Sequence, residues 1–145
     1  PKELNLIDSW EFKEGYAEDL DAWEGGQIAK NQDDMDAIYK SVLDRFIEFK
    51  NVKIHRDRSD LCSSKFSDEY FDWIYIDGDH SYFAIKKDLE LYFSKVKKDG
   101  YITGDDYWKK NYEDMPVKRA IDELIASGKA KEILIIDSQY ILKKI

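Results

Sequence analysis

The stretch FDWIYIDGDHSY, residues 71–82, decides the predicted fold. Its first half is rich in aromatic and β-branched residues, which predicts a strand over 71–77 that ends in Asp77. Apolar residues then recur every three or four positions over 82–97, which is the period of an amphipathic helix. The stretch DGYITGDDY, residues 99–107, supplies a turn and then a second strand over 101–105. Two strands joined by a helix in this order predict a parallel pair.

The part of the chain before residue 71 predicts a second strand–helix–strand unit. Short strands are expected over 4–8 and 52–55. Between them we expect an amphipathic helix that starts near residue 33, has its apolar stripe over 35–47 and ends at Asn51. Residues 9–33 show no clear period, and we expect them to form an irregular or partly helical connection.

The part after residue 107 predicts a helix followed by a hairpin. Pro116 suits the first turn of a helix, and Gly128 suits its end. Two strands over 132–136 and 139–143 are joined by a connection so short that they must pair antiparallel. The whole order predicts an α/β fold in a single domain over residues 1–145: a doubly wound, mostly parallel sheet with a C-terminal antiparallel hairpin.

Composition and charge exclude several classes of partner. The 145 residues are 43% hydrophobic, which is enough for one packed core, and the formal net charge of −8 disfavours nucleic acid and anionic membrane surfaces. The longest purely aliphatic run, residues 133–136, is far too short to span a bilayer. Cys62 is the single cysteine and cannot form an internal disulfide, so we expect a reducing, cytoplasmic setting.

Acidic residues end three of the predicted strands. Asp8 ends the first, Asp77 the third and Asp105-Asp106 the fourth. In a doubly wound sheet, ligands bind at the carboxyl ends of the strands. Carboxylates that lie close together repel unless a cation or protons compensate, and oxygen ligands suit Mg²⁺, with Mn²⁺ or Ca²⁺ as substitutes. The pattern predicts a divalent metal site at Asp77, Asp105 and Asp106; the alternative is an Asp-Gly turn and a capping pair.

The two quoted stretches, with Asp88-Leu89-Glu90 between them, resemble class I S-adenosylmethionine-dependent methyltransferases. They are most similar to the branch that combines an IDGDHSY strand end with a later GDDY. That branch includes metal-dependent O-methyltransferases acting on sugar hydroxyls of natural products. The resemblance implies methyl transfer from S-adenosylmethionine to a hydroxyl of a small molecule, for which we expect a sugar, with Mg²⁺ as the divalent metal.

The resemblance also implies roles for single residues. Asp8 would accept hydrogen bonds from the ribose of the cofactor, and Ser59 would lie beside the adenine. Asp77 would belong both to the cofactor site and, with Asp105-Asp106, to the metal site. His80 would be the general base that removes the proton of the acceptor hydroxyl.

The family's first strand, its glycine-rich loop and the preceding helix have no counterpart in this sequence. We therefore expect the chain to be a C-terminal portion of a longer domain. Two other functions stay open at this point. One is a haloacid-dehalogenase-like, Mg²⁺-dependent phosphatase with Asp77 and Asp79 as its paired acids, although the short interval between His80 and Asp105 leaves little room for its other motifs. The other is a non-catalytic remnant or interaction module, and homo-oligomer formation is also left open.

Overall fold

The computed structural model describes residues 1–13, 29–108 and 115–145. Most of the connection expected over 9–33 therefore lies outside the described residues. The chain divides into two compact units, Pro1–Cys62 and Ser63–Ile145. Among the described residues, no helix combines the length and the apolar character needed to cross a membrane.

The first unit is built on a parallel pair of strands. Its elements are β1 (Leu4–Asp8), α1 (Gln32–Phe46), β2 (Val52–Arg56) and α2 (Ser59–Cys62). The register runs from Leu4 opposite Val52 to Asp8 opposite Arg56. The Asn31 side chain caps α1 by accepting a 3.0 Å hydrogen bond from the backbone N–H of Asp34. The parallel pairing brings Asp8 to the carboxyl end of this small sheet, as the sequence predicts.

The second unit is a four-stranded sheet with two helices. After a short 3₁₀ turn its elements are β3 (Phe71–Ile76), α3 (Tyr82–Phe93), β4 (Val96–Gly104), α4 (Pro116–Ala126), β5 (Ala130–Ile136) and β6 (Gln139–Lys144). The strand order is β3-β4-β6-β5. The β3–β4 pair is parallel, whereas β6 is antiparallel to both of its neighbours. This arrangement confirms the predicted parallel pair and the predicted C-terminal hairpin.

The boundary between α3 and β4 differs from the prediction. The helix ends at Phe93 and not near residue 97, because Val96 already pairs with Phe71 as the first residue of β4. The turn expected at Asp99-Gly100 lies inside β4 as an irregularity in its pairing with β3. Gly100 is required there, since a Cβ would lie 2.8 Å from the carbonyl oxygen of Asp72.

The core of the second unit lies between one face of this sheet and the helices α3 and α4. Strand residues such as Ile102 and Leu142 are completely buried against helix residues such as Ile85 and Ile121. Burial of this kind stabilises the unit by about 25 cal/mol for each Å² of apolar surface removed from water. The packed face fixes the positions at which β3 and β4 end.

Candidate functional site

The carboxyl ends of β3 and β4 lie side by side. Ile76 is paired with Gly104, and the backbone N–H of Asp105 donates a 3.3 Å hydrogen bond to the carbonyl oxygen of Ile76. Asp77 and Asp105 follow these paired residues directly, so both leave the sheet at the same edge. The structure thus brings the two predicted acidic motifs together.

The loop between β3 and α3 folds back over this edge. The side chain of Asp79 accepts a 2.9 Å hydrogen bond from the backbone N–H of Ser81, and Ser81 in turn caps α3 at Ala84. This turn places His80 near Asp77, with 3.4 Å between His80 Nε2 and Asp77 Oδ1. The helix cap therefore orients the imidazole toward the strand end.

Asp106 approaches the same imidazole from the end of β4. Its Oδ2 lies 2.6 Å from His80 Nδ1. The backbone of Asp106 has φ +59°, a left-handed conformation that aspartate tolerates better than most residues do. The side chains of His80 and Asp106 are only 23% and 19% exposed, whereas that of Asp77 is 51% exposed and faces solvent.

Asp77, His80 and Asp106 form a cluster that could hold a metal ion. Each offers one ligand atom, and these three atoms lie within 4.8 Å of one another. Two carboxylates and one imidazole suit a divalent cation, and they give the site a negative charge that such a cation would compensate. We call these three residues the acidic centre.

Asp105 is adjacent to the acidic centre, but its carboxylate is hydrogen-bonded to Ser138 and to the backbone of Asp106. Its Oδ1 accepts a short hydrogen bond from the Ser138 hydroxyl and a 2.7 Å bond from the backbone N–H of Asp106. Ser138 lies in the turn between β5 and β6, and its carbonyl oxygen accepts a 2.7 Å bond from the N–H of Tyr107. The set of Asp77, Asp105 and Asp106 stays a prediction; in this structure His80, and not Asp105, completes the cluster.

Tyr140 is a residue near these strand ends that the sequence reasoning missed. It belongs to β6, pairs with Gly104 of β4 and is 1% exposed. Burial raises the pKa of its phenol far above the ordinary value, and the charges of Asp77 and Asp105 raise it further. The alternation of β6 could have placed Tyr140 on the buried face, but only the strand register shows that it faces Gly104.

The residues predicted to contact the cofactor lie in the first unit. The exposed Asp8 ends β1, and its Oδ1 accepts a 2.7 Å hydrogen bond from the backbone N–H of Trp10. Ser59 begins α2 and is half-buried. A shallow cleft of about 410 Å³ lies just beyond β1 and includes Trp10 and Arg56 in its lining.

The sequence reasoning did not single out Trp10 or Arg56 in this cleft. Trp10 packs against Tyr39 with 4.9 Å between the ring centroids, and the Arg56 guanidinium lies 4.8 Å above the same Tyr39 ring. Hydrogen bonds from Gln32 and Arg56 lower the pKa of the Asp36 carboxyl in this cleft. The cleft therefore combines an aromatic wall with a fixed cation and a carboxylate.

Comparison with known proteins identifies the family. Residues 3–107 match a family model described as a methyltransferase domain. The chain belongs to this methyltransferase domain family. The family implies S-adenosylmethionine as the methyl donor.

One curated relative and two solved structures illustrate the likeness. An uncharacterised protein of Acanthamoeba polyphaga mimivirus, R132, is 40% identical over 60 residues, which are 41% of this chain and 26% of that protein. A candidate caffeoyl-CoA O-methyltransferase from Staphylococcus aureus superposes with a TM-score of 0.62 at 19% identity, covering 99% of this chain and 76% of that one. The O-methyltransferase NovP gives a TM-score of 0.56 at 18% identity, covering 98% and 60%.

The two structural likenesses confirm the predicted α/β methyltransferase-like fold. At these identities they show the fold alone. The chain spans about a quarter of the length of the mimivirus relative and three fifths of NovP.

Proposed function

We propose that this chain takes part in S-adenosylmethionine-dependent transfer of a methyl group to a hydroxyl of a small molecule, with a sugar as the expected acceptor. The observation that carries the proposal is the convergence of Asp77, His80 and Asp106 at the carboxyl ends of two parallel strands, inside the segment that matches the methyltransferase family. A cytoplasmic location belongs to the same proposal.

The donor set of the acidic centre fits a divalent cation. The carboxylates of Asp77 and Asp106 would hold it, and Asp105 directly precedes Asp106 in sequence. Mg²⁺ prefers carboxylate oxygens, and Mn²⁺ also accepts imidazole. A bound cation of this kind would supply chelation of neighbouring hydroxyls and a lower pKa for the hydroxyl that is methylated.

His80 would act as the general base. When its Nδ1 carries the hydrogen and donates to Asp106, Nε2 keeps a lone pair that can accept a proton. When bound, the cofactor would supply an electrophilic methyl group on a positively charged sulfur, which would leave as a neutral thioether. His80 Nε2 would take the hydroxyl proton as the acceptor oxygen forms its bond to that methyl group.

The nucleoside part of the cofactor is assigned to residues of the first unit. The exposed carboxylate of Asp8 has acceptor capacity for ribose hydroxyls beyond its bond to Trp10. Ser59 is proposed beside the adenine, and Asp77 is proposed to contact the cofactor as well as the metal. These roles rest on the family and on the position of Asp8 at a strand end.

The family match favours methyl transfer over the phosphatase alternative. Asp79, which the phosphatase mechanism needs as its second acid, accepts a hydrogen bond from Ser81 at the start of α3. Its local role is therefore to shape the turn that presents His80.

Manganese binding tests the metal part of the proposal. We expect the wild-type chain to bind Mn²⁺ in a titration followed by electron paramagnetic resonance, and Asp77→Asn and Asp106→Asn each to weaken that binding about tenfold or more, because each removes one carboxylate ligand. Asp72→Asn is the matched control, since it removes an exposed carboxylate at the other end of β3, where Asp72 pairs with Lys97. Unchanged affinity in both site variants would remove the metal from the proposal.

A further inference from the structure

The hydroxyl of Tyr140 is buried without a hydrogen-bond partner. Among the side chains in the described part of the chain, it is the buried polar group that finds none. The residue is 1% exposed, so bulk water does not replace the missing partner. Leaving a buried hydroxyl unpaired is unfavourable, and such a group in a folded domain calls for an explanation.

Gly104 makes room for this hydroxyl at the end of the sheet. A Cβ built on Gly104 would overlap both the Tyr140 hydroxyl and the carbonyl oxygen of Ile76. The Tyr140 ring therefore crosses β4 where that strand has no side chain, and its hydroxyl reaches the last residue of β3. Asp77, the first residue of the acidic centre, follows Ile76 directly.

The surroundings of the hydroxyl are acidic. Besides burial, the nearby charges of Asp77, Asp88 and Asp105 oppose ionisation of the phenol, so it keeps its proton. A protonated phenol is a hydrogen-bond donor, and carboxylates are acceptors that such a donor can bind.

A second hydroxyl of the same hairpin already makes such a contact. Ser138, in the turn before β6, donates to the carboxylate of Asp105. The β5–β6 hairpin thus presents two hydroxyl donors toward these strand ends. In this structure the Ser138 hydroxyl makes a hydrogen bond there, and the Tyr140 hydroxyl does not.

We propose that Tyr140 is a positioning residue for the metal site, and that its hydroxyl donates a hydrogen bond to an oxygen ligand of the bound cation. This inference rests on the proposed function, because it requires a cation at the acidic centre. Hydrogen bonds of this kind orient the ligands of a metal and strengthen its binding. With a cation bound, a carboxylate oxygen of the strand ends would be the acceptor for this donor.

The test is Tyr140→Phe in the full 145-residue chain, titrated with Mn²⁺ and followed by electron paramagnetic resonance. We expect the dissociation constant for Mn²⁺ to rise about tenfold. The unfolding temperature without metal should stay the same or rise, because the hydroxyl that is removed has no bond to lose. Tyr92→Phe is the matched control: Tyr92 is also buried, near the end of α3, and its variant should bind Mn²⁺ like the wild type.

A spectroscopic measurement separates positioning from packing. Addition of Mg²⁺ should shift the near-ultraviolet tyrosine absorption of the wild type as the phenol gains an acceptor, and Tyr140→Phe should show a smaller shift. Equal Mn²⁺ affinity in the wild type and Tyr140→Phe would overturn the role of Tyr140 and leave the proposed function standing. Loss of stability in metal-free Tyr140→Phe would also overturn it, because the hydroxyl would then have a partner without the metal. A wild type that binds no Mn²⁺ would overturn the role of Tyr140 and would remove the metal from the proposed function.

Discussion

His80 lies between two carboxylates, and this position limits what its imidazole can do. If Nδ1 donates its hydrogen to Asp106, then Nε2 and Asp77 Oδ1 are two acceptors 3.4 Å apart. A proton, a cation or a water molecule between two facing acceptors relieves their repulsion. The imidazole is therefore suited either to take up a proton at Nε2 or to bind a metal there, and it cannot do both at one nitrogen.

His80→Gln separates these two roles. We expect kcat of the methyl transfer to fall about 10²–10⁴-fold, because glutamine cannot take up the proton of the hydroxyl that is methylated. The affinity for Mn²⁺ should change little, since the carboxylates of Asp77 and Asp106 remain. Steady-state kinetics and a metal titration on the same variant provide the measurement.

The control for this variant is His55→Gln. His55 Nε2 is 2.8 Å from Asn5 Oδ1 in the first unit, and no role in the reaction is assigned to it. Loss of Mn²⁺ binding together with activity in His80→Gln would make His80 a metal ligand and exclude it as the base.

At the scale of elements, the sequence could predict that acidic residues meet at one edge of the sheet, because parallel strands bring their carboxyl ends to the same side. Asp77 and Asp106 could be placed there from sequence order alone. The contact between His80 and Asp106 could not, because it depends on the left-handed backbone of Asp106. The position of Tyr140 could not be predicted from the sequence either, since it depends on the register of β6 against Gly104.

The boundary of α3 shows a second limit of sequence periodicity. Val96 fits the apolar stripe of the helix, but it also fits a buried strand position opposite Phe71. Pairing with β3 gives its backbone a partner and its side chain complete burial. Tertiary pairing therefore decides between two local patterns that the sequence allows equally.

The contact between α3 and α4 depends on pH through Glu123. Its carboxylate accepts hydrogen bonds from Lys86 Nζ at 2.9 Å and from the Tyr82 hydroxyl at 2.8 Å. The bond from Lys86, followed by that from Tyr82, lowers the pKa of Glu123 below its ordinary value of 4.5. Because the folded-state pKa is the lower one, these bonds stabilise the fold above pH 4.5, and the stabilisation is lost as the pH falls through the lowered pKa.

Glu123→Gln should therefore be less stable than the wild type at neutral pH, and the difference should shrink as the pH is lowered to about 3. The urea midpoint of both proteins, measured across this range, checks the expectation. Glu132→Gln, which changes an exposed acid on β5, serves as the control and should show a smaller dependence. A constant difference between wild type and Glu123→Gln at all pH values would contradict the assigned ionisation.

At the scale of the whole molecule, the residues assigned to the reaction are divided between the two compact units. The match to the methyltransferase family covers residues 3–107 and so includes Asp8 in the first unit and the acidic centre in the second. If Asp8 serves the cofactor and not the metal, a change at Asp8 should weaken cofactor binding and leave metal binding unaffected.

Asp8→Ala tests this division. We expect the affinity for S-adenosylhomocysteine to fall by about 1.5–3 kcal/mol, the contribution of a hydrogen bond to a charged acceptor, because alanine cannot bind the ribose hydroxyls. The affinity for Mn²⁺ should stay unchanged, since every residue of the acidic centre is retained. Calorimetric titration with each ligand gives both values, and Asp44→Ala, an exposed acid on α1, is the matched control. If Asp8→Ala bound S-adenosylhomocysteine as tightly as the wild type, Asp8 would have no place in the cofactor site. If it lost Mn²⁺ binding instead, the assignment of Asp8 to the cofactor and not to the metal would be wrong.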